Sequence, residues 1–293
     1  MTSLCRALPL LVLFTAGCYT RDTLVEILPD GSGTLTITTT ARTALLEYAR
    51  NQAEMPPEEW WFSEAVLARA AEPFGPNVRY QEHRIDDMED GKKFTVVYRF
   101  ENVEDLVVRV DTDAPFFLTP VAGQADQRPA YRFRFSGEQR ILSVLPPPTR
   151  PQGPPRVQVE SRNVRAQREE RFRRDRALMM RHGNPFRLRG RESPEELVRT
   201  LAGGLRFDIA VVPPGPLTRS TARCVEETGD GAPRVVLFSL EAGEVLTSEV
   251  AMKRAVDGEV QRISWEELTE FPGVRAETRE PVHLQWKAAD DAD

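Results

Sequence analysis

The stretch TRDTLVEILPDGSGTLTITT, residues 20–39, decides how this chain folds. On each side of its centre, apolar residues alternate with polar ones, which is the pattern of a strand with one buried face. The alternating apolar residues are Val25, Ile27, Leu35 and Ile37. Between the two runs, Pro29-Asp30-Gly31-Ser32-Gly33 supplies the backbone angles that a tight reversal needs. The stretch therefore predicts a β-hairpin.

Further along, the same alternation predicts more strands, and helical spacing predicts helices between them. The predicted strands lie at 78–85, 92–100, 131–135 and 140–145, and the predicted helices at 41–55, 58–72 and 102–106. Thr40 is the expected N-cap of the first helix, and the acidic turn 86–91 closes a second hairpin. Because strands joined by short turns pair antiparallel, we expect an α+β fold of mostly antiparallel sheets with helices packed on one face.

The C-terminal part repeats this alternation of helices and strands. Ser193-Pro194-Glu195-Glu196 has the pattern of a capped helix start, and Gly203-Gly204 ends that helix. Strands are predicted at 205–212, 217–224, 234–240, 249–257 and within 275–287, with a short helix starting at Ser264. Three passages from a helix through a glycine into a strand, ending at Val78, Leu205 and Val274, favour two related halves.

The first 18 residues, MTSLCRALPLLVLFTAGC, have the features of an export signal. Arg6 gives a positive start, and the apolar run from Leu8 to Phe14 is too short to cross a bilayer as a helix. The small residues Thr15-Ala16-Gly17 then precede Cys18. This pattern resembles the lipobox of bacterial lipoproteins, with Thr15 where that family usually has Leu.

The resemblance implies cleavage before Cys18 and attachment of lipid to its thiol and its new amino group, which makes the membrane the first expected partner. Several acyl chains on one residue anchor stably, because each buried CH₂ contributes roughly 0.8 kcal/mol. By the sorting rule of enterobacterial lipoproteins, Tyr19 after the cysteine implies the outer membrane, with the body facing the periplasm. An ordinary cleaved signal peptide is the alternative.

Composition changes along the chain predict its domain organisation. The predicted parts are a signal peptide (1–17), an N-terminal α+β domain (18–145), a proline-rich linker with a basic helix and loop (146–192), a C-terminal α+β region (193–287) and an acidic tail (288–293). The linker and basic segment thus separate two folded parts.

The basic segment is the one strong departure from the net charge of −6, with twelve arginines and four acidic residues between 156 and 191. Its candidate contact residues for an anionic surface are Arg168, Arg171, Arg173 and Arg174. Three interpretations remain open: a solvated basic helix, a surface for anionic lipid headgroups, or a docking site for an acidic partner. Nucleic acid is excluded as a partner by the location outside the cytoplasm.

The residues that carry catalysis or bind metals form no recognisable motif. Of the three cysteines, Cys5 leaves with the signal and Cys18 carries lipid, so Cys224 remains alone and we expect it to be a buried strand residue. The three histidines are far apart in the sequence. We therefore expect a protein that is not an enzyme and has no cofactor or metal.

The lipobox, the hairpin turn Asp30-Gly31-Ser32-Gly33 and the later strand ending in Pro-Gly (211–215) also resemble uncharacterised LppM-like envelope lipoproteins. That resemblance implies a cell-envelope location and makes lipid a candidate ligand. We expect a binding or structural protein with a lipid or envelope-protein partner; the alternatives are a lipid-binding or transfer module and an envelope hydrolase without a recognisable motif. A cavity lined by Trp60, Trp61, Phe94 and Phe116 would favour lipid, whereas a closed core with an exposed apolar patch would favour a protein partner.

Overall fold

The chain folds into two β-sheets that pack face to face around one apolar core. The structure, a computed structural model, describes residues 19–43, 46, 62–110, 129–147, 193–228, 231–256, 265–278 and 280–287. The described chain is mostly β-sheet with few helices, which agrees in outline with the predicted α+β class of mostly antiparallel sheets.

Thirteen strands are present in the described part of the chain. They are β1 (Tyr19–Ile27), β2 (Gly33–Arg42), β3 (Val78–Met88), β4 (Gly91–Phe100), β5 (Val107–Arg109), β6 (Ala130–Ser136), β7 (Ile141–Leu145), β8 (Arg206–Val212), β9 (Leu217–Ser220), β10 (Val225–Glu227), β11 (Pro233–Glu241), β12 (Val274–Ala276) and β13 (Val282–Trp286).

The larger sheet has the order β10-β11-β8-β1-β2-β4-β3, with β12 also paired to β11. The smaller sheet has the order β5-β6-β7-β13-β9. All neighbours are antiparallel except β1 and β8, which run parallel from Thr20 beside Arg206 to Glu26 beside Val212. Each sheet draws strands from both sides of the predicted linker.

The described helices are short and lie between the strands. They are α1 (Glu64–Arg69), α2 (Pro194–Ala202), α3 (Ala242–Val245), α4 (Glu249–Val256) and α5 (Trp265–Leu268), with 3-10 turns at Glu72–Phe74 and Val103–Asp105. The predicted capping box at Ser193 is confirmed, because its hydroxyl accepts the Glu196 N–H while the Glu196 carboxylate accepts the Ser193 N–H. None of the described helices is long and apolar enough to cross a membrane.

Both predicted hairpins are confirmed. In the first, Tyr19 pairs with Ala41 and Ile27 with Gly33, and Asp30 accepts a hydrogen bond from the Ser32 N–H at 2.9 Å. Gly31 has a φ of +84°, and a Cβ there would lie 2.9 Å from the Phe135 ring, so this turn requires glycine. The second hairpin is β3 and β4, whose turn is shorter than the predicted acidic loop because the strands continue to Met88 and from Gly91.

Three sequence predictions are wrong in detail. Thr40 and Ala41 belong to β2 and do not begin a helix, because β2 pairs along its whole length with a strand on either side. The strand predicted at 249–257 is α4, whose buried Ala251, Met252 and Ala255 recur at helical spacing. The strand predicted at 217–224 is too long, since β9 of the smaller sheet ends at Ser220 and the chain then crosses to the larger sheet, where β10 begins at Val225.

Several predicted elements lie outside the described residues. These are the signal peptide, most of the predicted helix at 41–55, the first part of the helix at 58–72, the basic helix and loop, and the acidic tail. The predicted domain boundaries at 146–192 fall largely there as well and remain predictions.

The two sheets are joined by a hydrogen bond inside the core. The Tyr131 hydroxyl, on β6 of the smaller sheet, donates to the Leu237 carbonyl at 2.6 Å, with the Glu277 carbonyl at 3.2 Å as a second acceptor. Leu237 is the extra residue of a β-bulge in β11, and its carbonyl also accepts the Glu277 N–H at 2.9 Å. Burial raises the pKa of Tyr131 well above its ordinary value, and the hydroxyl stays protonated as a donor.

Replacing Tyr131 by phenylalanine is expected to lower the free energy of unfolding by about 1 kcal/mol, because the Leu237 carbonyl loses one of its two hydrogen-bond donors. The matched control is Tyr98→Phe, since the Tyr98 hydroxyl is equally buried but has no partner among the described residues. That variant is expected to be as stable as the parent or more so. Urea denaturation of the non-lipidated Cys18→Ser protein measures both, and equal effects would contradict the assignment.

Candidate functional site

One end of the larger sheet collects the features that bear on function, and we call it the proximal end. It is the end at which β1 begins. Tyr19 pairs there with Ala41, and Thr20 lies beside Arg206, the first residue of β8. Tyr19 is 1% exposed and packs against Phe207, with ring centroids 5.8 Å apart. The residue that follows Cys18 in the sequence is therefore fully buried in the larger sheet.

Most of the residues predicted from sequence to carry function lie outside the described part of the chain. These are Cys18, Arg168, Arg171, Arg173 and Arg174, together with Trp60, Trp61 and Phe116 of the predicted cavity. Phe94, the remaining predicted cavity residue, is fully buried and stacks on Phe62 with ring centroids 4.3 Å apart. Phe94 is thus a packed residue of the hydrophobic core.

A recess between the sheets opens near the proximal end. Its lining includes Arg21, Thr23, Arg109, Phe207, Ile209 and Phe238. The recess has a volume of about 20 Å³, which is room for one water molecule. The Arg109 guanidinium also donates to the Pro73 carbonyl, which holds it at the edge of the recess. This space is too small for an acyl chain.

A network of ion pairs ties β1 to the C-terminal strands. Asp22 and Asp208 are neighbours across the parallel β1–β8 pair. Arg206 donates to Asp208 at 2.7 Å, and Arg234 lies 3.1 Å from Asp22 and 2.8 Å from Glu226. Burial raises the pKa of Asp22, and its repulsion by Asp208 adds to this, although Arg234 opposes the shift. Each aspartate is thus paired with an arginine, and the Asp22–Arg234 pair links β1 to β11.

The structure brings together a serine and a histidine that are far apart in the sequence. Ser143 and His283 are partners across β7 and β13, and the serine Oγ lies 2.8 Å from the histidine Nδ1. His283 is exposed, and within the described ranges it forms no hydrogen bond to a carboxylate. A serine–histidine pair needs such an orienting group and an oxyanion site to act on an acyl substrate. We therefore interpret the pair as a cross-strand contact.

Cys224 differs from its prediction. It lies between β9 and β10 and is half-buried, with its Sγ 3.9 Å from a Glu226 carboxylate oxygen and 4.0 Å from an Arg275 nitrogen. The prediction of a buried strand residue is wrong because the chain leaves one sheet for the other at this point. Glu277 holds this crossing by accepting the Arg223 N–H at 2.6 Å.

Carboxylates, histidines and cysteines do not converge in the described residues into a group of three or more that could hold a metal ion. The acidic turn of the second hairpin is included in that finding. Asp87 there pairs with Lys92 at 3.3 Å, and Asp90 pairs with Arg42 at 3.3 Å. These carboxylates are neutralised by neighbouring basic side chains.

Comparisons with known proteins returned no relative. No protein-family model matches the chain, and neither a curated protein nor a solved structure matches it.

The raised pKa of Asp22 predicts a pH dependence of stability. The pKa of Asp22 is near 3.8 in the unfolded chain and higher in the folded protein. At pH values between these two pKa values, the folded state binds the proton more tightly than the unfolded state. The contribution of Asp22 to stability is therefore fully present below the unfolded pKa and is lost as the pH rises through the folded pKa. Relative to Asp22→Asn, the parent protein should lose stability in urea denaturation as the pH rises above about 4 and through the raised folded pKa of Asp22.

Asp30→Asn is the control, and its effect on stability should change with pH in the opposite direction. The reason is that hydrogen bonds from Ser32 lower the pKa of the exposed Asp30 carboxyl. The contribution of Asp30 is present above its unfolded pKa and is lost as the pH falls through the lower folded value. Parallel profiles for the parent and Asp22→Asn would contradict the account of Asp22.

Proposed function

We propose that this chain is a lipid-anchored protein of the bacterial cell envelope that faces the periplasm from the outer membrane. In this proposal Cys18 carries the lipid, and the body has a binding or structural role and no catalytic one. The observation that carries it is the position of Tyr19, the residue that follows Cys18 of the lipobox-like pattern, in an interior strand of the larger sheet.

This position of Tyr19 is compatible with cleavage before Cys18. Strand β1 includes Tyr19 and is interior to the larger sheet, so removal of residues 1–17 takes no residue from any described strand. A cleavage site a few residues later would remove part of β1 and its pairing with β2 and β8. Cleavage before Cys18 thus leaves every described strand whole.

A binding or structural role is supported by the packing of the described core. Phe94 stacks on Phe62, Tyr131 spans the two sheets, and the recess beside Arg21 has room for one water. A lipid-binding or transfer module needs a cavity that takes up most of its ligand's surface. We therefore favour a partner that is bound on the outer surface, and we name an envelope protein as its class.

The finer description of the fold belongs to this proposal as well. We infer that helices pack on one face of the sheets and that two related halves are present. In the described residues, three helical segments lead through Gly75, Gly203 or Gly273 into β3, β8 and β12. These passages support the idea of a recurring helix–glycine–strand unit.

Replacing Cys18 by alanine is expected to abolish acylation and to move the protein from the membrane fraction to the soluble fraction. The reason is that the thiol and the amino group of this residue hold all of the lipid. Intact-mass spectrometry of the purified protein and labelling with a palmitate analogue measure the change. Cys224→Ala is the matched control and should stay acylated. An unmodified mass for the parent protein would overturn the proposed function.

A second experiment tests whether the basic segment, residues 156–191, contacts anionic lipid headgroups. Changing Arg168, Arg171, Arg173 and Arg174 to glutamine should weaken binding of the non-lipidated protein to anionic vesicles at least about tenfold, because each basic residue near such a surface contributes about 1 kcal/mol. Binding is measured by vesicle co-sedimentation at low and high salt.

A matched control changes four exposed arginines outside that segment, namely Arg79, Arg99, Arg199 and Arg219. This control should bind anionic vesicles like the parent. Unchanged, salt-independent binding by the variant in the basic segment would remove the anionic lipid surface from consideration and leave an acidic partner or a solvated helix.

A further inference from the structure

We infer that the proximal end of the larger sheet rests on the lipid headgroups and that the opposite end points away from the membrane. The cause is the direct connection of the lipidated Cys18 to Tyr19, which is fixed in the sheet. This inference rests on the proposed lipidation of Cys18. It adds which surface of the molecule meets the bilayer and which surface is left for a partner.

The first step is the length of the tether. Consecutive Cα atoms are about 3.8 Å apart, so the lipidated residue is held within that distance of Tyr19. Tyr19 is 1% exposed, pairs with Ala41 and contacts Phe207, so it has no freedom to act as a spacer. The acyl chains therefore leave the molecule directly from the start of an interior strand.

The second step is to identify what else lies at the proximal end. The strand register places the end of β2, the β3–β4 turn, the start of β8 and the end of β11 there. Beyond the sheet, the Ala242 N–H of α3 donates to the Leu205 carbonyl at 2.9 Å. Exposed side chains at this end include Met88 in the β3–β4 hairpin, which is 44% exposed, and Glu244 in α3.

The third step concerns the opposite end, which we call the distal end. It contains the β1–β2 turn and the β10–β11 hairpin, where Leu28 is 52% and Val225 is 44% exposed. Tyr19 and Ile27 are eight residues apart along β1, which is about 26 Å at 3.3 Å per residue. The distal end is therefore well above the headgroups and is the surface available to an envelope partner.

Charge alone does not select the proximal end. Two of its basic residues are paired with acidic neighbours, Arg42 with Asp90 and Lys92 with Asp87, both at 3.3 Å. Each end also has exposed apolar side chains. The orientation is therefore expected to follow from the tether and to be insensitive to salt, which separates it from electrostatic binding by the basic segment.

The test places one fluorescent label at a time on the acylated full-length protein. In a Cys224→Ser background, Met88→Cys and Glu244→Cys label the proximal end, and Leu28→Cys and Val225→Cys label the distal end. The Cys18 thiol is blocked by its acyl chain, so only the introduced thiol reacts. Each protein is reconstituted into vesicles whose lipids carry a nitroxide quencher on the headgroup. Labels at the proximal end should be quenched several-fold more strongly than those at the distal end, at low and at high salt.

A second set of proteins carries an added tyrosine and twelve Gly/Ser residues between Cys18 and Tyr19, which keeps tyrosine after the cysteine. Such a flexible segment has a root-mean-square length of about 19 Å and should remove most of the difference between the two ends. Equal quenching of all four labels in the acylated protein overturns the orientation and leaves the proposed function intact. A difference that the inserted segment does not change overturns the tether as its cause. A missing acyl mass overturns the proposed function itself.

Discussion

The larger sheet depends on the hydrogen bonding of β1 along both of its edges. On one side it runs antiparallel to β2, and on the other it runs parallel to β8. Without it the sheet would divide into the β2-β4-β3 group and the β8-β11-β10 group. The ion pair of Asp22 with Arg234 also links β1 to β11, on the other side of β8. The first nine residues of the described fold therefore hold the N-terminal strands to the C-terminal ones.

The join between the two sheets depends on a local irregularity in β11. Leu237 is inserted in the ladder as a bulge, and its carbonyl accepts hydrogen bonds from the Tyr131 hydroxyl and the Glu277 N–H. The same Glu277 accepts the Arg223 N–H where the chain crosses between the sheets. At the bulge this buried carbonyl therefore has two donors, one of which is a hydroxyl on the other sheet. The described packing between the two sheets thus includes this polar contact as well as apolar side chains.

The parts of the fold that were predictable are those specified within a few residues of sequence. The hairpin turn at Asp30 and the capping box at Ser193 each depend on neighbours two or three residues away. The parallel pairing of Thr20 with Arg206 and the contact of Ser143 with His283 join distant segments, and no local pattern specifies them. Helical spacing also extended wrongly into Ala41, because a strand paired on both sides overrides local propensity. At the candidate site, the sequence predicts the anchor at Cys18. The burial of Tyr19 was not predictable from sequence, because it depends on pairing with Ala41 and on contact with Phe207.

A lipid anchor next to a buried strand residue has a physical consequence for partner binding. A long flexible linker lets a domain sample many heights and orientations, and a partner must then immobilise it at an entropic cost. Where Tyr19 is already fixed in the sheet, most of that freedom is absent before any partner arrives. The height of the distal surface is then set by the length of β1 and its neighbours, about 26 Å at 3.3 Å per residue. If Cys18 carries the proposed lipid, an interior strand that includes the next residue converts the attachment into a preorganised presentation of one end of the molecule.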